Sequence, residues 1–255
     1  MAHAGDAVHV ACAFSLIEIL SVLHREFLRY PDNAPDAADR DHLVLSKGHG
    51  VMALYACMVD LGWLDDSDLD AYFDDGTRLM GLSDSRVPGL EVTSGSLGHG
   101  FSVGVGLAFA AARRGTDQRT FVIVGDGEMN EGPIWEGMLF ASHHQLHRLV
   151  VIVDENQFQA MGRTSEVLDL GSLSTKFEAF GFETRTVDGH DAEALRSVIG
   201  GLLASSSPRP KAVIARTMKG RGVSFMEDRN EWHYTRLDDE TLSRALEELL
   251  DGDVP

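Results

Sequence analysis

Two short apolar runs constrain this 255-residue chain more than any other feature in it. Residues 120–124 read TFVIV and residues 149–153 read LVVIV. Continuous β-branched runs suit strands buried on both faces. Residues 131–146, between them, read as a helix. Strand, helix and strand in that order make a βαβ unit, with parallel strands and a right-handed crossover. Downstream the alternation continues: a helix over 172–180, a strand at ETRTVDG, a helix over 191–204, a strand at KAVIARTM and a C-terminal helix at LDDETLSRALEELL. Upstream, residues 12–30 read as one amphipathic helix stopped near Pro31, and 51–61 as another. DDSDLDAYFDDG predicts a short surface helix capped by Asp66 or Ser67. FSVGVGLAFAAARRG is a helix of small residues, expected to lie deeply buried. The fold class is α/β: a mostly parallel open sheet with helices on both faces. No repeat or low-complexity linker interrupts it, so one domain over 1–255 is expected.

Hydrophobic residues make up 44% of the chain, ample for a core, and the formal net charge is −18. So acidic a chain is poorly suited to nucleic acid or an anionic membrane. Any anion it holds needs a local device: a metal, a helix N-terminus or a few histidines. No apolar run is long enough to span a bilayer, and the N-terminus lacks a basic segment followed by a long apolar one. Cys12 and Cys57 sit in apolar helical patterns. They read as buried free thiols; with no CxxC they make no zinc site between them. A reducing cytoplasm is the expected compartment.

The chemistry is expected at the carboxyl ends of the strands, where open α/β sheets bind ligands. Two adjacent strand ends carry Asp126 and Asn156, thirty positions apart. Both offer short side chains with hard oxygens. Mg²⁺ takes one or two carboxylates and leaves room for phosphate oxygens and water. Gly125 and Gly127 flank Asp126, so a phosphate can approach the backbone. A helix starting just beyond adds free N–H groups and a positive dipole end. Other readings of the segment fit less well. Asn130 stands where a Rossmann fingerprint needs its third glycine, no GK[ST] occurs, and DGEMNEG places its glycine one residue late for an EF-hand.

GDGEMNEGPIWEG followed by VIVDENQFQAMGRT resembles the thiamine-diphosphate motif of transketolases, which begins with GDG and ends in Asn about thirty residues later. LSKGHGVMALYACMVDLGWL, PGLEVTSGSLGHG, FEAFGFETRTVDGHD and ARTMKGRGVSFMEDRNEWH also resemble transketolase segments, the last being closest to the split, two-gene bacterial form. The resemblance covers almost the whole chain. It implies thiamine diphosphate with Mg²⁺ (or Ca²⁺ or Mn²⁺) as cofactors. It makes Asp126, the Asn156 side chain and the Phe158 carbonyl the metal ligands. Gly127, beside Gly125, would touch the diphosphate, and Gly95 and Leu97 would line the two rings.

Histidine is the natural proton shuttle near neutral pH. By resemblance His49 lies near the diphosphate and donor carbonyl, and His233 on a loop closing over the cofactor. His9 matches the histidine of the family's GHxGGSLS, without the surrounding glycines; it also reads as a hydrogen-bonded bystander. His99 stands where a glutamine is usual. His143 and His147 have metal-like spacing but lack a third ligand, and read as structural. Glu131 implies a contact with a glutamate of another domain, and reads equally as a helix N-terminal carboxylate.

The glutamate that activates thiamine in this family belongs to a second, pyrimidine-binding domain, and this chain contains no second α/β pattern. The resemblance therefore implies a separate partner subunit carrying that domain and a C-terminal one, in an α2β2 assembly. The implied reaction is transfer of a two-carbon ketol unit from a ketose-type donor to an aldehyde-type acceptor. The alternatives are another thiamine-dependent carboligation, deoxyxylulose-phosphate-synthase-like or acyloin-forming, and a non-catalytic partner subunit. One departure bears on the donor. Family members carry GHP before the PGVE segment, and here LMGLSDSRVPGLEV puts Leu82 in the histidine's place. Either the donor is unusual or Ser83 or Asp84 takes over that contact.

Overall fold

The computed structural model describes residues 1–5 and 8–251. Its elements in chain order are α1 (Val10–Phe14), α2 (Ile17–Val22), β1 (His42–Leu45), α3 (Val51–Asp60), α4 (Asp66–Asp70), α5 (His99–Arg114), β2 (Thr120–Gly125), α6 (Gly132–His143), β3 (Leu149–Glu155), β4 (Phe158–Gln159), β5 (Gly162–Arg163), α7 (Thr164–Val167), α8 (Leu173–Ala179), β6 (Glu183–Asp188), α9 (Ala192–Ala204), β7 (Lys211–Arg216) and α10 (Asp239–Asp251). Five parallel strands form the main sheet in the order β1-β2-β3-β7-β6. Helices cover both of its faces, as the sequence predicts. Along β2 and β3 the side chains divide by period 2. Phe121, Ile123, Val150 and Ile152 enter a core packed by α1, α2, α3 and α9. Val122, Val124, Val151 and Val153 enter a second core packed by α5, α6 and α8. All eight are buried on one face or the other, which is why the sequence shows no alternation. Truncating a residue such as Ile152 to alanine costs about 2–5 kcal/mol.

Four expectations need correction. The 12–30 helix is broken: α1 ends at Phe14, and α2 passes into a π-turn over Leu23–Phe27. At the break, the Ser15 hydroxyl bonds the Cys12 carbonyl (3.1 Å) and Asp154 Oδ2 (2.7 Å). The chain bends where a side chain is recruited to the sheet end. HLVL, in the sequence only a short apolar stretch, is strand β1. The short acidic helix is capped by Asp65, whose side chain and that of Asp68 form a reciprocal capping box. The small-residue helix α5 is buried along one face only. A Cβ on Gly104 would meet Val122 Cγ2 at 2.4 Å, while Ser102, Val103 and Gly106 remain exposed. Small residues bring α5 onto the sheet without enclosing it.

The register lines up the strand ends. Gly125 pairs with Asp154, Asp154 with Ala215, and Glu155 with Arg216, while Leu45 pairs with Ile123. Lys47, Asp126, Asp154, Asn156 and Thr217 therefore emerge side by side at one edge of the sheet. Among the described residues, no helix is long and apolar enough to cross a membrane.

Candidate active site

A cavity of about 650 Å³ opens above these strand ends. Every residue singled out from the sequence as catalytic, cofactor-binding or metal-ligating lines it: His9, His49, Glu131 and His233; Gly95, Leu97, Gly125 and Gly127; Asp126, Asn156 and Phe158. They arrive from several separate stretches of chain, so their convergence is a property of the fold. The helix beyond GDG is displaced from its expected start. Asp126 caps a 3₁₀ turn over Gly127–Asn130, and α6 begins only at Gly132. Glu131 takes the N-cap position of α6 without a side-chain cap bond, and it is exposed at the cavity.

The floor of the cavity is a buried polar cluster centred on Asp154, which is fully inaccessible. Its carboxylate accepts hydrogen bonds from Lys47 Nζ, Thr217 Oγ1, Ser15 Oγ and, at 3.1 Å, Asn156 Nδ2. Burial works against the Lys47 ammonium, but Asp154 beside it prevails and holds the lysine charged, above its ordinary value. The bond to Nδ2 fixes which way the Asn156 amide faces. Its Oδ1 accepts from the Phe158 N–H at 3.0 Å and keeps a second lone pair. Glu128, also buried, joins three loops: it accepts from Ser46 Oγ (2.5 Å), Gly98 N (2.8 Å) and Gly125 N (3.1 Å).

The wall differs. Asp126 is 5% exposed, and its carboxylate accepts only backbone N–H bonds, from Gly127 (2.8 Å) and Gln157 (2.6 Å). Burial, with the neighbouring Asp154 charge, pushes its pKa up to about 7. Asn130 Oδ1 and Gln159 Nε2 are buried at the same cavity without a hydrogen-bond partner. Gly127 packs so tightly that a Cβ there would stand 2.7 Å from Gln159 Cβ. A carboxylate short of positive charge, a fixed amide oxygen and two orphaned polar atoms suit a hard cation and an anionic ligand bound together.

Three imidazoles face one another across the cavity. Ring centroids lie 5.0 Å apart for His9 and His49, 5.2 Å for His9 and His233, and 5.6 Å for His49 and His233. An isolated bridge between Val8 and Thr235 draws their two segments together. Burial first, then the Lys47 and Lys219 charges, lowers all three: His9 to about 4, His233 to about 3, and His49 well below its ordinary value. All three are neutral at physiological pH, able to accept or pass on a proton. Lys219 Nζ lies 2.7 Å from His233 Nδ1.

Sequence reasoning missed Lys47, Glu128, Asp154, Lys219 and the Cys12 thiol. A charged residue immediately after an apolar run, as in LVVIVDEN, was the available signal for Asp154. His143 and His147 stay structural: among the described residues no metal-ligand cluster includes them. Leu82 is 42% exposed and lines the cavity against Gly95. Ser83 is buried and bonds the Val92 carbonyl, and Asp84 pairs with Arg86. Neither lines the cavity, so neither replaces a polar group at position 82.

The family model for the transketolase thiamine-diphosphate-binding domain matches residues 2–250. One of the two subunits named for an apulose-4-phosphate transketolase in Actinobacillus succinogenes is 38% identical over 246 residues, covering 95% of this chain and 88% of the relative. A 6-deoxy-6-sulfo-D-fructose transketolase subunit of Clostridium sp. is 36% identical, covering 94% and 88%. The transketolase from Leishmania mexicana superposes with a TM-score of 0.88 at 30% identity; the match covers 99% of this chain but 40% of that one. The site, the domain match and the near full-length likeness to chains named as transketolase subunits agree: the chain belongs to the transketolase family, as the diphosphate-binding subunit of a split, transketolase-type transferase.

Proposed function

We propose that this chain holds the Mg²⁺ and diphosphate of thiamine diphosphate, and that with a separate subunit it transfers a two-carbon ketol unit from a ketose-type donor to an aldehyde-type acceptor. The observation carrying this reading is Asp126, a buried carboxylate on a cavity wall whose pKa is raised for want of a nearby cation. Asp126, Asn156 Oδ1 and the Phe158 carbonyl would hold the metal. Gly125 and Gly127 would admit the diphosphate to the backbone, and Gly95 and Leu97 would flank the rings. When bound, thiamine diphosphate supplies a nucleophilic carbon and an electron sink. The protein's part is to orient, exclude water and move protons. His9, His49 and His233 are neutral acceptors able to take the donor's hydroxyl proton and return it. Glu131, exposed at the rim, would meet the partner. We propose that the described residues form one domain of an α2β2 assembly working in the cytoplasm; the free Cys12 and Cys57 fit a reducing compartment.

The names of the relatives, each given as one subunit of a transketolase, support a second chain. The test is turnover of a ketose donor with thiamine diphosphate and Mg²⁺, with and without that second chain. The complex should be active and the chain alone inactive. A normal rate from the chain alone would refute the split.

A second reading concerns the donor, and Leu82 favours it. A leucine cannot donate to a sugar hydroxyl, and its neighbours are committed elsewhere. Two relatives are named for apulose 4-phosphate and for 6-deoxy-6-sulfo-D-fructose. We propose a donor other than xylulose 5-phosphate. Full activity of the wild-type complex on xylulose 5-phosphate would rule this out.

A further inference from the structure

One group in the cavity has no task in ketol transfer: the Cys12 thiol. Its Sγ lies 3.6 Å from His233 Nδ1. Cys12, His49 and His233 each offer one donor atom, all within 4.8 Å of one another. Among the described residues no other group of histidine, cysteine or carboxylate side chains converges in this way. All three face the cavity, and Cys12 is only 2% exposed. We propose that Cys12, His49 and His233 form a second metal site, taking Zn²⁺ through one thiolate and two imidazoles.

The geometry suits that ion. Zn–S and Zn–N bonds of about 2.3 and 2.0 Å at a tetrahedral angle set sulfur and nitrogen about 3.5 Å apart. The Cys12–His233 separation already has this value, and His49 needs only a small rotation to complete a face. The fourth position opens into the cavity, where water can bind. The donor set also sorts metals. Sulfur and imidazole select zinc-like ions, whereas Asp126 and Asn156 offer the hard oxygens that suit Mg²⁺. The two sites therefore discriminate by chemistry within one pocket.

Binding is an exchange without redox change. The thiol proton leaves to solvent, and the Sγ lone pair joins the ion. Lys219 opposes it, since its ammonium contacts the same Nδ1 of His233 at 2.7 Å and must withdraw. This gives the site a built-in competitor. The two imidazoles are also those assigned to proton transfer, so zinc and turnover should exclude each other. That last consequence rests on the proposed function; the metal site itself does not.

The experiment is titration of the full chain, without thiamine diphosphate, with Co²⁺ as spectroscopic probe, followed by Zn²⁺. The expected result is one equivalent bound, a thiolate-to-cobalt charge-transfer band, and loss of the band as Zn²⁺ displaces the probe. Cys12→Ser should abolish the band and Cys57→Ser should leave it. Lys219→Met should tighten binding at least several-fold. Absence of the band in the wild-type chain at stoichiometric Co²⁺ would overturn the proposal, as would an undiminished band in Cys12→Ser. No activity is read, so failure here is separable from failure of the ketol-transfer reading.

Discussion

The floor and the wall of the cavity are built from the same residue types and behave oppositely. On the floor, Asp154 has four side-chain donors, one of them a lysine pressed against it. On the wall, Asp126 stands one residue beyond the Gly125 that pairs with Asp154, and it has only two backbone donors. Both carboxylates are buried. One has its countercharge within the chain, and the other lacks one. The floor is a piece of structure that happens to be charged. The wall is a binding surface whose missing charge has to come from outside. Burial alone does not mark a functional carboxylate; burial without a partner does.

The largest effect should come from breaking the floor. Asp154→Ala leaves Lys47 buried and uncompensated, which costs about 3–5 kcal/mol of stability in denaturant unfolding. The double variant Asp154→Leu, Lys47→Met should recover much of it, because a buried pair can often be replaced by apolar residues of similar volume. On the wall the pattern inverts. Asp126→Ala should lower Mg²⁺-dependent cofactor affinity by at least about 100-fold, or about 2.7 kcal/mol, while leaving the unfolding midpoint nearly unchanged. If Asp126→Ala unfolded the chain as Asp154→Ala does, the contrast would fail.

A buried histidine outside the cavity sharpens the comparison further. Burial lowers the pKa of His24, beside Tyr30, to about 4. Below about pH 6.5 the unfolded chain takes up a proton that the folded chain refuses until about pH 4. Stability is therefore present above that upper limit and lost as the pH falls through the window. Between about pH 7 and pH 5 this one residue accounts for about 2 kcal/mol. Urea midpoints of the wild type and His24→Gln should diverge at about pH 7 and converge at about pH 5. The smallest effect is at Leu82. Leu82→His should shift donor preference toward xylulose 5-phosphate by about tenfold, read as kcat/KM of the complex, with stability unchanged.

What was legible in the sequence follows from how local each signal is. β2 and β3 stood out because a strand buried on both faces leaves an unbroken apolar run. β1 did not, because four residues between a loop and the SKGHG turn carry too short a pattern. The helix over 12–30 looked continuous because its apolar positions continue; its break is made by a long-range bond from Ser15 to Asp154. The same contrast divides the site. Asp126, Asn156 and the glycines were found because a strand–turn–helix segment carries them together. Asp154, Lys47 and Cys12 were missed because their partners lie 107 or more positions away in the chain. Long-range partners leave no periodicity to read. The Leu82 question was posed by the sequence and sharpened by the fold, where Ser83 and Asp84 are engaged elsewhere.

The most direct test of the account is calorimetric titration of thiamine diphosphate into the complex of this chain with its second subunit, with Mg²⁺ present and with Mg²⁺ removed. The wild-type complex should bind tightly only with Mg²⁺, and the Asp126→Ala complex should bind weakly under both conditions. Binding indifferent to Mg²⁺, or unaltered by loss of Asp126, would contradict the claim that this wall holds the metal and the diphosphate.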